Sequence, residues 1–478
     1  MSFVRREPPS DSHTMSKRVI SITASLLPVI ATLFVAGCSG EDADTGPSGG
    51  GSVTTGGGPS SGGVPGMDPM PGGGTTFGTG GDTASGGING TGAADGSGGE
   101  TGDDFDCVLP DLPEAGDLPD LGMKLPDPFT FYDGTKVTTR AQWECRRKEI
   151  LAMAAKYLYG PVPGEPDEVT GTVSGGTVNI DVTVGSKTES FTANISGNGD
   201  VIAVRLENSG MAPQGSKSLS FGSGNEAKIG NLFGISGINA NIARGWMIDR
   251  VMDVLEANPG SGHDPTKIMV TGCSGCGKGA FLAGVFSRVP LTVIVESGGG
   301  GATSWRMTQW FRSGQGNWNC GDLPQGIGNL ENNGICGPWV SDAAQPFRNN
   351  PALVNHLPFD QHLLIATIAP RYLVHFTNNN GAGSWCHLAG TSEALAAWAA
   401  YPVYEALGVP ERMSFEVYDG GHCSTADTGI AAAMFDRVFN GNMSAATGGV
   451  RIQDGRVQQP VSQWPSTWID WDMDTVLQ

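Results

Sequence analysis

The sequence predicts an α/β fold: a mostly parallel, doubly wound sheet with helices on both faces, in a three-layer αβα sandwich. Apolar runs of strand length alternate with helical patterns through the second half of the chain. The run over 291–295 is apolar at four of five positions, as is typical of a parallel strand covered on both faces. The run over 268–270 breaks at a glycine-rich turn and resumes as an apolar, alanine-containing helical pattern.

The other elements follow in chain order. An apolar stripe predicts a helix over 141–159, which Gly160-Pro161 ends. Alternating residues over 169–191 predict an antiparallel meander, which would extend the first edge of the sheet. The remaining predictions are a strand at 201–206, a helix at about 244–257, strands at 372–377 and 413–418, and helices at about 392–407 and 426–439.

The N-terminus predicts export. Lys17 and Arg18 precede an apolar stretch that ends Val35-Ala-Gly-Cys38, which resembles a bacterial lipobox. Residues 1–38 are therefore predicted to be a lipoprotein signal peptide, with lipid attached at Cys38. The alternative is a single transmembrane anchor, because the stretch is close to the length needed to span a bilayer. We expect a protein tethered by its N-terminus at the bacterial outer membrane or cell surface, or secreted.

Composition separates a linker from a folded domain. Residues 39–106 are mostly Gly, Ser, Thr, Pro and Asp, which cannot bury enough apolar surface to fold, so they predict a flexible linker. Residues 107–478 are long enough for one large domain. The net charge of −20 disfavours nucleic acid and anionic surfaces as partners, so we expect membrane contact only through the lipid.

Nine cysteines in an exported chain predict disulfides, and eight of them remain in the folded part when Cys38 is set aside. The pair Cys273-x-x-Cys276 stands alone, without a second pair at zinc-like spacing, so neither a metal nor any other cofactor is expected. A thioredoxin-like role is disfavoured, since Ser274 and the helix after it suit a hydrolase better.

The turn that contains Ser274 carries the first chemical signal. A strand, a sharp turn and a helix expose a serine hydroxyl above an α/β sheet, and the amide of Gly275 at the helix start can stabilise an oxyanion. Two other interpretations compete. Gly272-x-x-x-x-Gly277-Lys278 fits part of a phosphate-binding loop, but Gly279 stands where the magnesium-binding Ser or Thr is needed. The turn could also be a glycine-rich connection without chemistry, because Cys276 replaces the second Gly of G-x-S-x-G.

Two further residues follow other predicted strands. Glu296 ends the strand over 291–295 and His422 follows the strand over 413–418, where α/β sheets bind their ligands. A serine nucleophile needs a base, and the base needs a carboxylate. The order Ser274, Glu296, His422 is that of α/β-hydrolases. Asp360 and Asp419 are competing acids.

Together these motifs resemble the glucuronoyl esterases of carbohydrate esterase family 15. The similarity runs from about residue 126 to 439. The segments that carry it are Asp133-Gly-Thr-Lys-Val-Thr-Thr, Trp143-Glu-Cys-Arg-Arg, Tyr159-Gly-Pro-Val-Pro, Thr271-Gly-Cys-Ser-Gly-Cys-Gly-Lys-Gly-Ala-Phe, Val295-Glu-Ser-Gly-Gly-Gly-Gly, residues 357–371 and Gly421-His-Cys-Ser.

The resemblance implies a metal-independent serine esterase that cleaves the ester between 4-O-methyl-D-glucuronate on xylan and alcohols of lignin. By position, Ser274 is the nucleophile, His422 the base and Glu296 the acid. Lys278 matches a lysine that binds the sugar's hydroxyls, and Glu331 and Trp385 match a carboxylate and an indole of the sugar site more loosely. The disulfides implied are Cys273 with Cys423 and Cys107 with Cys145. Cys276, Cys320, Cys336 and Cys386 are left with three possible pairings.

One position departs from the family. Members commonly have Arg directly after the nucleophile, where its side chain helps to stabilise the oxyanion, and this chain has Gly275. The loss of one oxyanion donor typically costs about 10²–10³ in rate. Two other functions therefore stay open: an esterase for other carbohydrate or aryl esters, and a weakly catalytic carbohydrate-binding surface lipoprotein.

Overall fold

The computed structural model describes residues 105–320, 322–330, 339–378, 386–418, 420–423 and 429–478. The predicted signal peptide with Cys38, and the predicted linker up to residue 104, lie outside the described residues. The strands within them are β1 (Glu168–Ser174), β2 (Thr177–Val184), β3 (Lys187–Ser196), β4 (Ile202–Arg205), β5 (Lys217–Phe221), β6 (Ile268–Cys273), β7 (Leu291–Val295), β8 (Tyr372–Asn378), β9 (Met413–Tyr418) and β10 (Gly449–Arg451).

In the described residues, one or more α-helices separate each pair of consecutive strands from β5 onward, whereas β1 to β5 follow one another without an α-helix. The α-helices are α1 (Arg140–Ala154), α2 (Asn225–Phe233), α3 (Ala240–Ala257), α4 (Gly275–Val285), α5 (Trp305–Arg312), α6 (Gln345–Asn349), α7 (Gln361–Ala366), α8 (Gly390–Ala406), α9 (Ile430–Asn440) and α10 (Trp464–Trp468). In the part of the chain that the structure describes, no helix combines the length and the apolar character needed to span a bilayer.

All ten strands belong to one sheet, in the order β1-β2-β3-β5-β4-β6-β7-β8-β9-β10. The pairs from β1 to β5 along this order are antiparallel, and every pair from β5 to β10 is parallel. The predicted meander over 169–191 is therefore confirmed as β1 to β3 at the first edge. Parallel strands bring their carboxyl ends to one edge of a sheet, and this edge carries the candidate site.

The two faces of the sheet are covered by different helices, which produces the three layers that the sequence predicted. On β6, Ile268 and Val270 pack toward α3 and α4, whereas Met269 and Cys273 pack toward α9. The alternation follows from the period of two along a strand. Since every residue of β6 and β7 is buried, these strands are apolar almost throughout.

The first predicted helix is confirmed, and its last turn is a π-helix rather than an α-helix. Thr139 caps its start, α1 covers Arg140–Ala154, and a π-helical turn continues it over Ala155–Tyr159 to Gly160, whose φ of 80° ends it. The sequence analysis missed β5, β10 and several short helices, listed here as α2, α5, α6, α7 and α10. Each of these is short, so hydrophobic periodicity has few residues in which to appear.

Candidate active site

Ser274 lies at the turn between β6 and α4. Its φ of 59° and ψ of −125° are rare for a non-glycine residue, and its amide donates to the carbonyl of Val295 at 3.0 Å. Within residues 268–285, Ser274 is the one residue that is not buried. Backbone strain at a single accessible serine is typical of a functional position.

Two glycines explain why the chain can make this turn. A Cβ atom on Gly272 would lie 2.2 Å from the carbonyl oxygen of Cys276, and one on Gly277 would lie 2.6 Å from that of Val295. The close approaches that require glycine therefore fall at residues 272 and 277. This accounts for Cys276 at the position where the G-x-S-x-G pattern has its second Gly.

Glu296 directly follows β7 at the carboxyl edge of the sheet. It is 2% exposed, its φ is 44°, and its amide donates to the carbonyl of Phe376 at 2.8 Å. The carboxylate accepts three hydrogen bonds. The Tyr418 hydroxyl donates to Oε1, while His422 Nδ1 at 2.5 Å and the Cys423 amide at 3.1 Å donate to Oε2. Hydrogen bonds from these donors compensate the buried carboxylate for the water that it has lost.

The contact with Glu296 fixes the orientation of His422. When Nδ1 donates to a carboxylate, Nε2 of the neutral ring is left as the acceptor. The His422 side chain keeps 13% of its surface exposed. A neutral imidazole held in this way can take a proton from a hydroxyl at its Nε2 side.

A disulfide brings the serine and histidine turns together. It joins Cys273, directly before Ser274, to Cys423, directly after His422, with 5.7 Å between their Cα atoms. Cys273, Cys423, Glu296 and His422 also place potential metal-ligating atoms within 4.8 Å of one another. Because the disulfide consumes both thiolates, only one carboxylate and one imidazole remain, which do not make up a metal site.

The structure contains further disulfides. Cys107 is bonded to Cys145, and Cys320 to Cys386. Cys276 is disulfide-bonded as well. The Cys320–Cys386 bond links the segment after α5 to the segment that follows β8, beside the carboxyl edge of the sheet.

Lys278 lies on the first turn of α4 and is 1% exposed. Its Nζ donates to the carbonyl of Ser297 at 2.5 Å and lies 4.5 Å from the centre of the Trp339 ring. Burial lowers the pKa of Lys278 to about 7, against the attraction of Glu393. The contact with Ser297 places this ammonium beside the turn that carries Glu296.

Of the two competing acids, the structure describes Asp360, whose hydrogen bonds go to the starts of two helices. Asp360 is fully buried and accepts from the amides of Trp305 and Arg306, at 2.9 and 3.0 Å, and it caps α7. Asp360 therefore holds helix starts together. Asp419 lies outside the described residues, and so do Glu331 and Trp385, the two loosely matched sugar-site residues.

Sequence reasoning missed Tyr418, Glu393 and Trp339. Tyr418 ends β9 four residues before His422, so its place at the sheet edge could have been noticed. Glu393 is a charged residue in the first turn of the alanine-rich pattern of α8 and is followed by apolar residues, which was a usable signal. Trp339 reaches Lys278 only through tertiary folding, and no local pattern indicated it.

Gly275 is the first residue of α4, directly after Ser274. Its amide belongs to the group of N-terminal helix amides that have no partner within the helix. Glycine offers no side chain, so the cation that resembling proteins carry here is missing from this position.

Comparison with known sequences supports the resemblance. A family model described as "Glucuronyl esterase, fungi" matches residues 171–408. A 4-O-methyl-glucuronoyl methylesterase of Schizophyllum commune is 35% identical over 383 residues, which cover 74% of this chain and 91% of that protein. The protein of the same name from Neurospora crassa is 33% identical over 386 residues, 75% of this chain and 91% of its own.

Solved structures agree in fold. The glucuronoyl esterase catalytic domain from Hypocrea jecorina superposes with a TM-score of 0.64 at 31% identity, covering 76% of this chain and all (100%) of that domain. A mutant glucuronoyl esterase from Sporotrichum thermophile, solved in complex with methyl 4-O-methyl-beta-D-glucopyranuronate, gives a TM-score of 0.60 at 30% identity. That alignment covers 76% of this chain and 98% of the other.

Proposed function

The chain belongs to the glucuronoyl esterase family, and on that premise we propose that it hydrolyses the ester between 4-O-methyl-D-glucuronic acid of glucuronoxylan and alcohols of lignin. The observations that support the proposal are the contact of His422 Nδ1 with Glu296 Oε2, at 2.5 Å, and the disulfide that joins the residue before Ser274 to the residue after His422. The names of the relatives, and the methyl glucuronate bound to one of them, supply the substrate class.

In the proposed mechanism Ser274 Oγ attacks the ester carbonyl while His422 Nε2 takes its proton. Glu296 holds the imidazole in the required tautomer and stabilises the imidazolium that forms. The tetrahedral oxyanion accepts from the Gly275 amide. His422 then donates the proton to the departing alcohol, and a water activated by the same imidazole releases the acid from Ser274.

Sugar recognition is assigned to Lys278, with Glu331 and Trp385 as further proposed contacts. An ammonium offers three donors, which suits the hydroxyls of a sugar ring. Hydrogen bonds that a substrate analogue cannot make leave buried polar groups unpaired, so they contribute strongly to selectivity.

The presence of Gly275 motivates two alternative functions. Without the family's Arg, the protein could act on other carbohydrate or aryl esters, or bind a glucuronate chain with little turnover. The contacts of Glu296 favour the hydrolase, because three donors converge on a buried carboxylate that holds His422. A protein that only binds sugar needs no such arrangement.

The deciding experiment measures acid released from benzyl glucuronate by the purified protein and by Ser274→Ala. We expect turnover that the variant lacks, with glucuronate binding retained. Ser466→Ala is the matched control, since Ser466 is exposed on α10 and should leave turnover unchanged. Turnover of 4-nitrophenyl acetate alone would favour another ester, and binding without any turnover would favour the carbohydrate-binding protein.

We also propose that the protein is exported and anchored at the cell envelope through lipid on Cys38, with 39–106 as a linker to the esterase domain at 107–478. The lipobox-like Val35-Ala-Gly-Cys38 supports this. The protein expressed in its host should partition with membranes and incorporate labelled fatty acid, and Cys38→Ser should abolish both. Equal membrane partitioning of the variant would contradict lipid anchoring.

A further inference from the structure

Glu393 is a buried charge that the proposed mechanism does not use. It lies in the first turn of α8 with 0% exposure. Its Oε1 accepts from the Ser297 hydroxyl at 2.5 Å and from the Gly298 amide at 2.7 Å. These two donors directly follow Glu296, so α8 fixes the turn that carries the proposed catalytic acid.

Lys278 reaches the same turn from α4. Its Nζ donates to the Ser297 carbonyl, while the Ser297 hydroxyl donates to Glu393. Ser297 therefore stands between a buried ammonium and a buried carboxylate. A buried charge without a partner of opposite sign is strongly destabilising, so the two groups need one another.

We propose that Glu393 is a positioning residue that acts through Lys278: its carboxylate supplies the countercharge that keeps the buried ammonium protonated, and so sets the upper end of the pH range in which the protein binds its sugar substrate. The inference rests on the proposed function, in which Lys278 donates to the sugar's hydroxyls.

The surroundings of the pair support this assignment. Burial alone would raise the pKa of Glu393, but interactions with His375, Ser297 and Thr377 lower it, so the carboxylate is ionised at neutral pH. His375 faces Glu393 from β8, with Nε2 3.7 Å from Oε1 and both side chains fully buried. Among the described residues, Glu393 is the ionisable group that opposes burial in setting the pKa of Lys278.

The sign of the pH effect follows from the lysine. With a pKa of about 7, Lys278 carries its charge below that pH and loses it above. Removal of the Glu393 charge takes away the attraction that favours the ammonium, so the proton should leave at a lower pH. Sugar binding should therefore weaken at a correspondingly lower pH.

The test compares Glu393→Gln with Glu393→Asp in the purified protein. Glutamine keeps the volume and an oxygen that accepts from Ser297 and Gly298, but it removes the charge, whereas aspartate keeps the charge. We expect the rise of KM for benzyl glucuronate with pH to begin about one unit lower in Glu393→Gln and to stay near its original pH in Glu393→Asp. An unchanged profile in Glu393→Gln, or equal shifts in both variants, would overturn the proposal.

Glu149→Gln is the matched control. Glu149 is also buried, pairs with Arg146 and accepts from the Tyr132 amide, so its loss should lower stability and leave the KM profile in place. A shift in this variant equal to that in Glu393→Gln would mean that lost stability, not a lost countercharge, moves the profile.

A second readout needs no turnover. The pKa of Lys278 can be followed by NMR on protein with labelled lysine, with Lys278→Met to assign the signal. We expect a lower pKa in Glu393→Gln. If the wild-type protein is inactive but Glu393→Gln lowers the pKa of Lys278, the esterase activity is refuted and the role of Glu393 is supported. If the wild-type protein is active but the pKa of Lys278 does not change in Glu393→Gln, the role of Glu393 is refuted and the esterase activity is supported.

If Glu393→Gln does not fold, the double variant Lys278→Met/Glu393→Gln decides. Because the single change leaves an unpaired buried ammonium, removal of that ammonium should restore folding, whereas Lys278→Met should not rescue Glu149→Gln. A double variant that still fails to fold would show that the defect does not come from the unpaired ammonium, and would overturn the proposal.

Discussion

Replacing Cys273 and Cys423 together by alanine tests how far the disulfide aligns the proposed nucleophile and base. The bond spans 150 residues of sequence. Closing a loop of that length restricts the unfolded chain by about 5 kcal/mol in the chain-entropy treatment, and we expect unfolding free energy to fall by about that amount. Thermal and denaturant unfolding, with and without a reductant, measure this loss.

The effect on catalysis should exceed what lost stability explains. Cys423 has a φ of 56° and its amide donates to Glu296, so the bond holds both the turn after His422 and a donor to the acid. A displacement of about 1 Å between reacting groups can cost about 10² in rate. We therefore expect kcat for benzyl glucuronate to fall by about 10²-fold at temperatures well below the melting point.

The bond between Cys107 and Cys145 provides the matched control. It spans 38 residues, so its removal should cost about 4 kcal/mol by the same reasoning. It ties the start of the described chain to α1, away from His422, so kcat should stay within a few-fold of wild type. A Cys273→Ala/Cys423→Ala protein that melts lower but keeps full kcat would refute the alignment argument, as would equal kcat losses in the two double variants.

Three further changes test the rest of the site. Tyr418→Phe removes one donor to the Glu296 carboxylate and should lower kcat about tenfold, since hydrogen bonds to charged groups contribute about 1.5–3 kcal/mol; Tyr157→Phe, whose hydroxyl contacts the Pro113 carbonyl, should leave kcat unchanged. Gly272→Ala should abolish soluble, active protein, because the new Cβ would lie 2.2 Å from the Cys276 carbonyl oxygen, while Gly260→Ala, with nothing within 4 Å, should have no effect on expression or activity. Gly275→Arg should raise kcat/KM about tenfold or more by adding an oxyanion donor at the first residue of α4. An equal gain in Gly275→Met would show that charge is not the cause.

The sequence predicted the parts of the fold that repeat a strong local pattern. The meander, the strand over Leu291–Val295 and the helix before Gly160 are long or almost entirely apolar, so their sequence patterns located them. The strand β5 was missed because it has five residues and only Leu219 is buried. Its place between β3 and β4 depends on pairing across the sheet, which no local pattern contains.

The candidate site divides in the same way. Ser274, Glu296 and His422 were found because each lies within four residues of the end of a predicted strand and parallel strands share one carboxyl edge. Glu393 and Trp339 belong to other segments, and only the tertiary fold brings them to Ser297 and Lys278. Their contribution consists of contacts with Ser297 and Lys278, and such contacts have no signature in composition or spacing.

Ser274 is the single accessible residue of the buried unit formed by β6 and α4, and this limits where substitutions can alter selectivity. In the proposed mechanism the reaction depends on this buried strand, turn and helix. Substitutions within it are poorly tolerated, because Gly272 and Gly277 lie against backbone atoms. The segment after α5, which the Cys320–Cys386 bond staples to the residues that follow β8, lies outside this unit. Exchange of that stapled segment between related esterases should therefore transfer preference for the alcohol, while leaving the rate of the bond-breaking step to the unit beneath it.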